Sequence, residues 1–143
     1  MRLGPIAVLT VTIAFHATGV LADDASEKEV QRIQGRWKPI KIEGRNPGKV
    51  DGLTVTIKGD AIVLEGATEK PLRFTYKLQP SAKPKAIDIT FELGTLLGVY
   101  ELDEDTLKVC YSELQESQKG KRPAELSAPA GSMRYFWVLK REK

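Results

Sequence analysis

The feature that most constrains this chain is an alternation of apolar and polar residues that repeats every two positions. Because successive side chains of a strand point to opposite faces, each alternating run predicts a β-strand with one buried face. Eight segments carry this pattern or a short apolar run typical of a strand. They are residues 37–43, 53–58, 61–66, 72–78, 87–92, 97–102, 107–112 and 133–140.

The connections between these segments are mostly too short to hold helical crossovers. Gly59-Asp60 and Asp103-Glu104-Asp105 predict tight hairpins. Strands joined in this way pair antiparallel, and eight in succession can close into an up-and-down barrel without exposed sheet edges. A β-sandwich is the competing architecture, because the strand count by itself fits both. We expect the all-β, eight-stranded barrel, preceded by one short helix at residues 24–34.

Residues 1–22 have the pattern of a secretory signal peptide. Arg2 precedes an apolar run over residues 3–15, and small residues lead up to Ala22. The alternative is a membrane anchor, but spanning a bilayer takes about 20 apolar residues and polar ones interrupt this run. We therefore expect cleavage after Ala22, a mature domain at residues 23–143, and an exported product, periplasmic or secreted, without a membrane anchor.

The mature domain would lack the residue types that many enzyme sites require. Cleavage would remove the only histidine, His16, and leave Cys110 as the only cysteine. A Ser-His-Asp triad, a Cys-His pair and a histidine-bearing zinc site are then excluded. The adjacent carboxylates at 103–105 fit a solvated hairpin tip, because calcium needs about six to eight oxygens from a wrapped loop. We expect no enzyme activity, no metal site and no cofactor.

The charge pattern argues against a nucleic-acid partner. The 22 basic residues are nearly balanced by 19 acidic ones and are spread along the chain. A nucleic-acid footprint requires a coherent basic patch. We therefore expect a small-molecule or protein partner instead.

A short motif at the start of the first strand resembles lipocalins. Gly35-Arg36-Trp37 follows the predicted helix, as the G-x-W element of lipocalins does. A basic residue near the end of their last strand packs against that tryptophan, and Lys140 and Arg141 are the matching candidates here. The resemblance implies that Trp37 lies at the closed end of the barrel, with Arg141 on or near its indole.

From Ile33 to Arg141 the chain is similar to an uncharacterised lipocalin-like domain family of exported planctomycete proteins. The stretches that carry the similarity include residues 33–37, 83–90, 98–103 and 105–110. The similarity implies a lipocalin-like barrel and an exported location. It brings no established activity, so no functional residue is transferred from it.

The best candidate site is the barrel interior, because six aromatic side chains share the apolar parity of their strands. They are Phe74, Tyr76, Phe91, Tyr111, Tyr135 and Trp137. Aromatic faces combined with phenol hydroxyls suit a small apolar or amphipathic ligand. An eight-stranded barrel is wide enough either to be filled by side chains or to hold one small ligand, and the sequence leaves both open.

We therefore interpret the chain as an exported, non-catalytic binding module for such a ligand. The alternative is a protein-binding or inhibitor barrel that acts through its loops and needs no cavity. Two connections are long, at residues 44–52 and 113–132. The first is the expected mouth for a ligand, and the second fits a solvated surface equally well.

Phe136 and Val138 lie on the opposite face of the last strand from the candidate site. Apolar side chains left exposed there would form a sticky patch, so this face needs a cover. The N-terminal helix is the expected cover, and a protein partner is the alternative.

Overall fold

The computed structural model describes residues 18–44, 49–114 and 121–143, and for residues 18–24 it describes the backbone alone. Most of the predicted signal peptide, residues 1–22, lies outside the described residues, so cleavage and export stay predictions. Within the described part of the chain, no helix combines the length and the apolar character needed to cross a membrane.

In the described part of the chain, one helix precedes eight consecutive strands. The elements are α1 (Thr18–Ile33), β1 (Gly35–Glu43), β2 (Thr54–Lys58), β3 (Ala61–Glu65), β4 (Leu72–Gln79), β5 (Ala86–Phe91), β6 (Gly94–Leu102), β7 (Thr106–Ser112) and β8 (Arg134–Arg141). Each strand pairs with the next, and β8 pairs with β1 to close the barrel. The expected up-and-down antiparallel barrel with an N-terminal helix is confirmed, and the sandwich alternative is wrong.

The alternation along the strands decides which side chains face the core. In β2, Val55 and Ile57 are buried, while Lys58 at the end of the strand is exposed. Gly59 then turns the chain into β3 with a φ of 62°, a conformation that glycine adopts without steric strain. The register of this hairpin sets Ile57 opposite Ile62, so that both strands present their apolar residues to the same interior.

Trp37 and Arg141 close one end of the barrel together. The Trp37 indole is fully buried, and its Nε1–H donates to the Ile33 carbonyl oxygen at 2.9 Å. The Arg141 guanidinium carbon lies 4.2 Å from the centre of the indole ring. Its Nη1 and Nη2 donate to the carbonyl oxygens of Gln34 and Arg32 at 2.7 and 2.6 Å. The expected contact is confirmed, and Arg141 also satisfies carbonyl groups that the end of a helix leaves without partners.

A buried carboxylate holds α1 across this closed end. Glu29 is 6% exposed. Its Oε2 accepts hydrogen bonds from the Tyr100 hydroxyl at 2.8 Å and from Lys85 Nζ at 3.3 Å. Its Oε1 accepts one from Arg32 Nη1 at 2.7 Å. Because a buried charge without partners is strongly unfavourable, the Tyr100 and Lys85 donors, which lie outside α1, fix the helix on the barrel.

Residues 121–132, which we call the strap, cross the outer face of the barrel. Arg122 anchors the strap to β5 and β6. Its Nη2 donates to Asp88 Oδ1 at 2.7 Å, and its Nη1 donates to the carbonyl oxygens of Gly98 and Ile87 at 2.7 and 3.2 Å. The described part of the long connection before β8 is therefore packed against the sheet rather than held away from it.

The strap covers the outer apolar face of β8. Phe136 is buried in a cluster with Ala128 and Cys110, and Leu126 and Val138 pack against it. The expectation that the N-terminal helix covers this face is wrong. The helix is held across the closed end of the barrel instead, where its carbonyl groups and its buried carboxylate have their partners.

Replacing Trp37 with alanine removes a buried indole and the surface on which Arg141 stacks. We expect the free energy of unfolding to fall by about 3 to 5 kcal/mol, the usual range for deleting a large buried aromatic side chain. Arg141→Ala should cost about 1 to 3 kcal/mol, since water can reach the carbonyl groups it leaves. Urea unfolding followed by circular dichroism measures both. Ile40→Ala, at a position 51% exposed on the same strand, is the control. Equal losses for Trp37 and Ile40 would contradict this role.

Replacing Arg122 with alanine should loosen the strap and expose Cys110. Burial raises the pKa of the Cys110 thiol, so the wild-type thiol should react slowly with a colorimetric thiol reagent. A charge-assisted hydrogen bond contributes about 1.5 to 3 kcal/mol, so its loss should speed the reaction roughly 10- to 100-fold. Lys121→Ala, at the exposed neighbouring position, should react at the wild-type rate. A slow rate in Arg122→Ala would show that Arg122 does not hold the strap down.

Candidate functional site

The barrel interior contains a cavity of about 100 Å³. Each of β2 to β8 contributes at least one side chain to its wall, and Ile33 of α1 contributes to its closed end. Eleven of the fourteen lining side chains are aliphatic, and the other three are Phe74, Tyr111 and Trp137. The core is thus not packed solid in this region, and its free space is lined almost entirely by apolar side chains.

The size of the cavity limits what can occupy it. An apolar cavity of about 150 Å³ can hold a molecule such as benzene, whereas pockets for drug-sized ligands measure about 300 to 1,000 Å³. The interior therefore suits a body of about one small ring. A long acyl chain or a sterol would need the surrounding side chains to move.

The cavity wall carries one polar pair. The Trp137 Nε1–H donates to the Tyr111 hydroxyl oxygen at 3.1 Å. Burial raises the pKa of Tyr111 to about 12, although the bond from Trp137 works in the opposite direction. The hydroxyl consequently keeps its proton throughout the neutral range, and the wall carries no formal charge from this group.

Gly98 makes room for Tyr111 inside the barrel. A Cβ atom on Gly98 would lie 2.7 Å from the Cys110 carbonyl oxygen, 3.1 Å from Tyr111 Cβ and 3.3 Å from Ile87 Cγ2. These approaches are too close for any larger residue without backbone movement. A glycine within a strand often marks such a close approach, and the sequence analysis did not use this signal at Gly98.

The structure brings three of the six predicted site residues to the cavity. Phe74, Tyr111 and Trp137 line it. Phe91 and Tyr135 contact lining residues without lining the cavity themselves. The Phe91 ring centre lies 5.9 Å from that of Phe74, and the Tyr135 ring centre lies 5.7 Å from that of Tyr111. The contacts give one aromatic pair, Phe74 with Phe91, and a second set of Tyr111, Tyr135 and Trp137, both toward the end of the barrel opposite α1.

Tyr76 lies apart from these five side chains, at the closed end of the barrel. It is 5% exposed, and its hydroxyl donates to the Gly59 carbonyl oxygen at 2.6 Å. The same hydroxyl accepts a hydrogen bond from Gln34 Nε2 at 3.0 Å. Tyr76 thus ties the β2–β3 hairpin to the end of the helix, and it is not among the side chains that line the cavity.

Exposed leucines mark the end of the barrel opposite α1. Leu72 opens β4, Leu93 lies in the β5–β6 turn and Leu114 follows β7, with exposures of 38%, 79% and 46%. Leu114 reaches the β5–β6 turn, since its Cδ1 lies 3.3 Å from the Cβ position of Gly94. The predicted mouth at residues 44–52 belongs to the same end, although residues 45–48 lie outside the described part of the chain.

Two further observations concern metal ligands and the buried Cys110 thiol. Among the described residues, no three histidine, cysteine, aspartate or glutamate side chains are grouped so that they could hold a metal ion. The Cys110 thiol donates to the Ser127 carbonyl oxygen at 3.3 Å under the strap. Burial raises its pKa, which lowers the fraction of reactive thiolate.

Comparison with known proteins adds no assignment, because the chain matches no known protein family, no curated protein and no solved structure. The similarity to lipocalin-like proteins therefore rests on the sequence motifs alone and stays a prediction.

The stability of the protein should depend on the protonation of Tyr111 at high pH. The pKa of Tyr111 is raised from 10.0 to about 12 on folding. The neutral Tyr111 hydroxyl therefore contributes fully to the free energy of unfolding below about pH 10, and this contribution is lost as the pH rises toward 12. Two pKa units correspond to about 3 kcal/mol. The difference in unfolding free energy between wild type and Tyr111→Phe should therefore shift by roughly this amount, to the disadvantage of wild type, between pH 9 and 12. Urea unfolding across this range measures it, and a constant difference would contradict the prediction.

Proposed function

We propose that this protein is an exported, non-catalytic binding module that takes one small apolar or amphipathic molecule into its barrel. The apolar cavity of about 100 Å³ is the observation that carries this proposal. Export is supported by the signal-peptide pattern of residues 1–22, with its charged start, apolar middle and small residues before Ala22.

The energetics of the cavity favour an occupant. On the scale for enclosed core cavities, about 24 cal/mol per Å³, an unfilled volume of this size costs at most about 2 kcal/mol. A ligand that matches the cavity recovers these lost contacts and removes its own apolar surface from water. The protein therefore gains stability from the ligand as well as binding it.

The lining selects neutral ligands. None of the fourteen lining side chains is cationic or anionic. A carboxylate or ammonium group brought into this interior would lose its hydration without gaining a counter-charge, which is strongly unfavourable. The ligand is accordingly a neutral molecule, or one whose charged end stays at the leucine-rimmed end of the barrel.

A second candidate function is protein binding through the rim, and one specific observation favours it. Leu72, Leu93 and Leu114 are exposed at the same end of the barrel, and exposed apolar patches commonly mark interaction sites. The two functions respond to different substitutions. Filling the cavity would leave rim binding intact, whereas a polar residue at Leu93 would weaken it.

Val109→Phe should fill the cavity and abolish binding of small probes. Val109 lines the cavity, whereas Val63 is on the outer face of β3 and is only half-buried, so Val63→Phe is the matched control. The probes are benzene, toluene and cyclohexane, followed by amide chemical shifts in heteronuclear NMR. We expect saturable binding to wild type and to Val63→Phe, and at least a tenfold weaker response in Val109→Phe.

A second variant covers the case in which Val109→Phe does not fold. Leu96→Ala enlarges the same cavity and should strengthen binding of toluene relative to benzene. If wild type shows no saturable response to any of the three probes, the internal-ligand proposal is overturned and rim-mediated protein binding takes its place. Native mass spectrometry of protein purified from its own host would identify the natural occupant.

A further inference from the structure

We propose that the natural ligand carries a single hydrogen-bond acceptor, such as a ketone or ether oxygen, and that the Tyr111 hydroxyl donates to it. This inference rests on the proposed function and narrows it from any small apolar molecule to a neutral one-acceptor molecule. It follows from counting donors and acceptors on the cavity wall.

The polar pair on the wall leaves one donor unused. A tyrosine hydroxyl has one proton to donate and two lone pairs, whereas an indole nitrogen can only donate. Trp137 Nε1–H donates to the Tyr111 oxygen at 3.1 Å, and this is the hydrogen bond that the Tyr111 hydroxyl makes among the described residues. The Tyr111 proton therefore remains available to an acceptor inside the barrel.

The remaining lining residues provide no competing partner for that proton. All twelve other lining side chains are hydrocarbon, including Leu96, Val109 and Phe74. At Tyr111 itself the backbone is paired on both sides, with Gly98 of β6 and with Tyr135 of β8. A ligand acceptor would thus satisfy a partly buried donor that has no acceptor among the lining side chains, and leaving such a donor unsatisfied is unfavourable.

The same count disfavours other polar ligands. An alcohol brings a proton of its own. If the alcohol oxygen accepts from Tyr111, that proton finds no acceptor on the apolar wall. If the alcohol donates to the Tyr111 oxygen instead, the Tyr111 proton is left without an acceptor. A carboxylate meets no cation among the lining residues. Because burial raises the pKa of Tyr111 to about 12, the hydroxyl is a donor rather than a phenolate, and a neutral acceptor fits it.

Tyr111 is held in place before a ligand arrives. Because Gly98 has no side chain, β6 and β7 can lie close together at Tyr111. A Cβ at Gly98 would be 3.1 Å from Tyr111 Cβ. The Tyr135 ring packs beside the Tyr111 ring, with centres 5.7 Å apart. Trp137 fixes the hydroxyl from a third direction. A donor held in this way loses little freedom on binding, which favours specificity.

The test compares two probes of the same shape, cyclopentanone and methylenecyclopentane, which differ in the carbonyl oxygen. Dissociation constants for both are measured by NMR titration in each variant. Their different hydration in water is common to all variants and cancels when ratios are compared. The variants are built on Trp137→Phe, so that a freed indole N–H cannot replace the tyrosine donor.

The ratio of the two dissociation constants in Trp137→Phe is the reference for the double variants, since this variant already lacks the indole N–H. Adding Tyr111→Phe should shift the ratio about tenfold against the ketone, as expected for one lost hydrogen bond. Adding Tyr76→Phe in its place is the matched control, since this hydroxyl lies outside the cavity, and it should leave the ratio unchanged. In wild type, the carbonyl carbon resonance of bound ketone should move downfield of its position in hydrocarbon solvent. This measurement does not depend on the folding of any variant.

The outcomes separate this inference from the function on which it rests. If neither probe binds wild type, the proposed function fails. If both bind but the ratio is the same with and without the Tyr111 hydroxyl, or the carbonyl resonance stays at its hydrocarbon position, the acceptor inference is overturned and the apolar binding function stands.

Discussion

The contact of the Arg141 guanidinium with the Trp37 indole is the interaction on which the closed end of the barrel depends. Arg141 belongs to β8, stacks on the Trp37 indole of β1 and donates to carbonyl oxygens at the end of α1. One side chain thereby joins the last strand, the first strand and the helix. The planar guanidinium can stack and donate at the same time, which a lysine ammonium cannot do. With α1 fixed in this way, Ile33 forms part of the cavity wall and the barrel has a closed end.

The cavity arises from where large and small side chains are placed along the barrel. Trp37 and Tyr76 occupy the closed end, while Tyr111 and Tyr135 pack side by side toward the opposite end. The wall between them is mainly aliphatic, with residues such as Ile89. Aliphatic side chains reach less far across the interior than aromatic rings, so the middle is left underfilled. An ordinary eight-stranded barrel can therefore hold a small space without an increase in its number of strands.

The sequence predicted the barrel and its closed end better than it predicted the cavity wall. Alternation reports which face a side chain occupies, but it does not report its height along the barrel. Phe74 and Tyr76 share a face and lie about 6.6 Å apart along the strand, yet only Phe74 reaches the cavity. The strap was missed for a different reason. Arg122 bonds to two strand carbonyl groups and to Asp88, and contacts of this kind leave no periodic signal in the chain.

Gly98 belongs to both surfaces of the barrel wall. On the outer side its carbonyl oxygen accepts a hydrogen bond from Arg122, and on the inner side its missing side chain leaves room for Tyr111. Leu96 and Val109, by contrast, contribute only hydrocarbon to the wall. The shape of the interior can therefore diversify during evolution, or be redesigned in the laboratory, at the aliphatic positions one at a time. Position 98 has no such freedom, because a Cβ there would lie 2.7 Å from the Cys110 carbonyl oxygen.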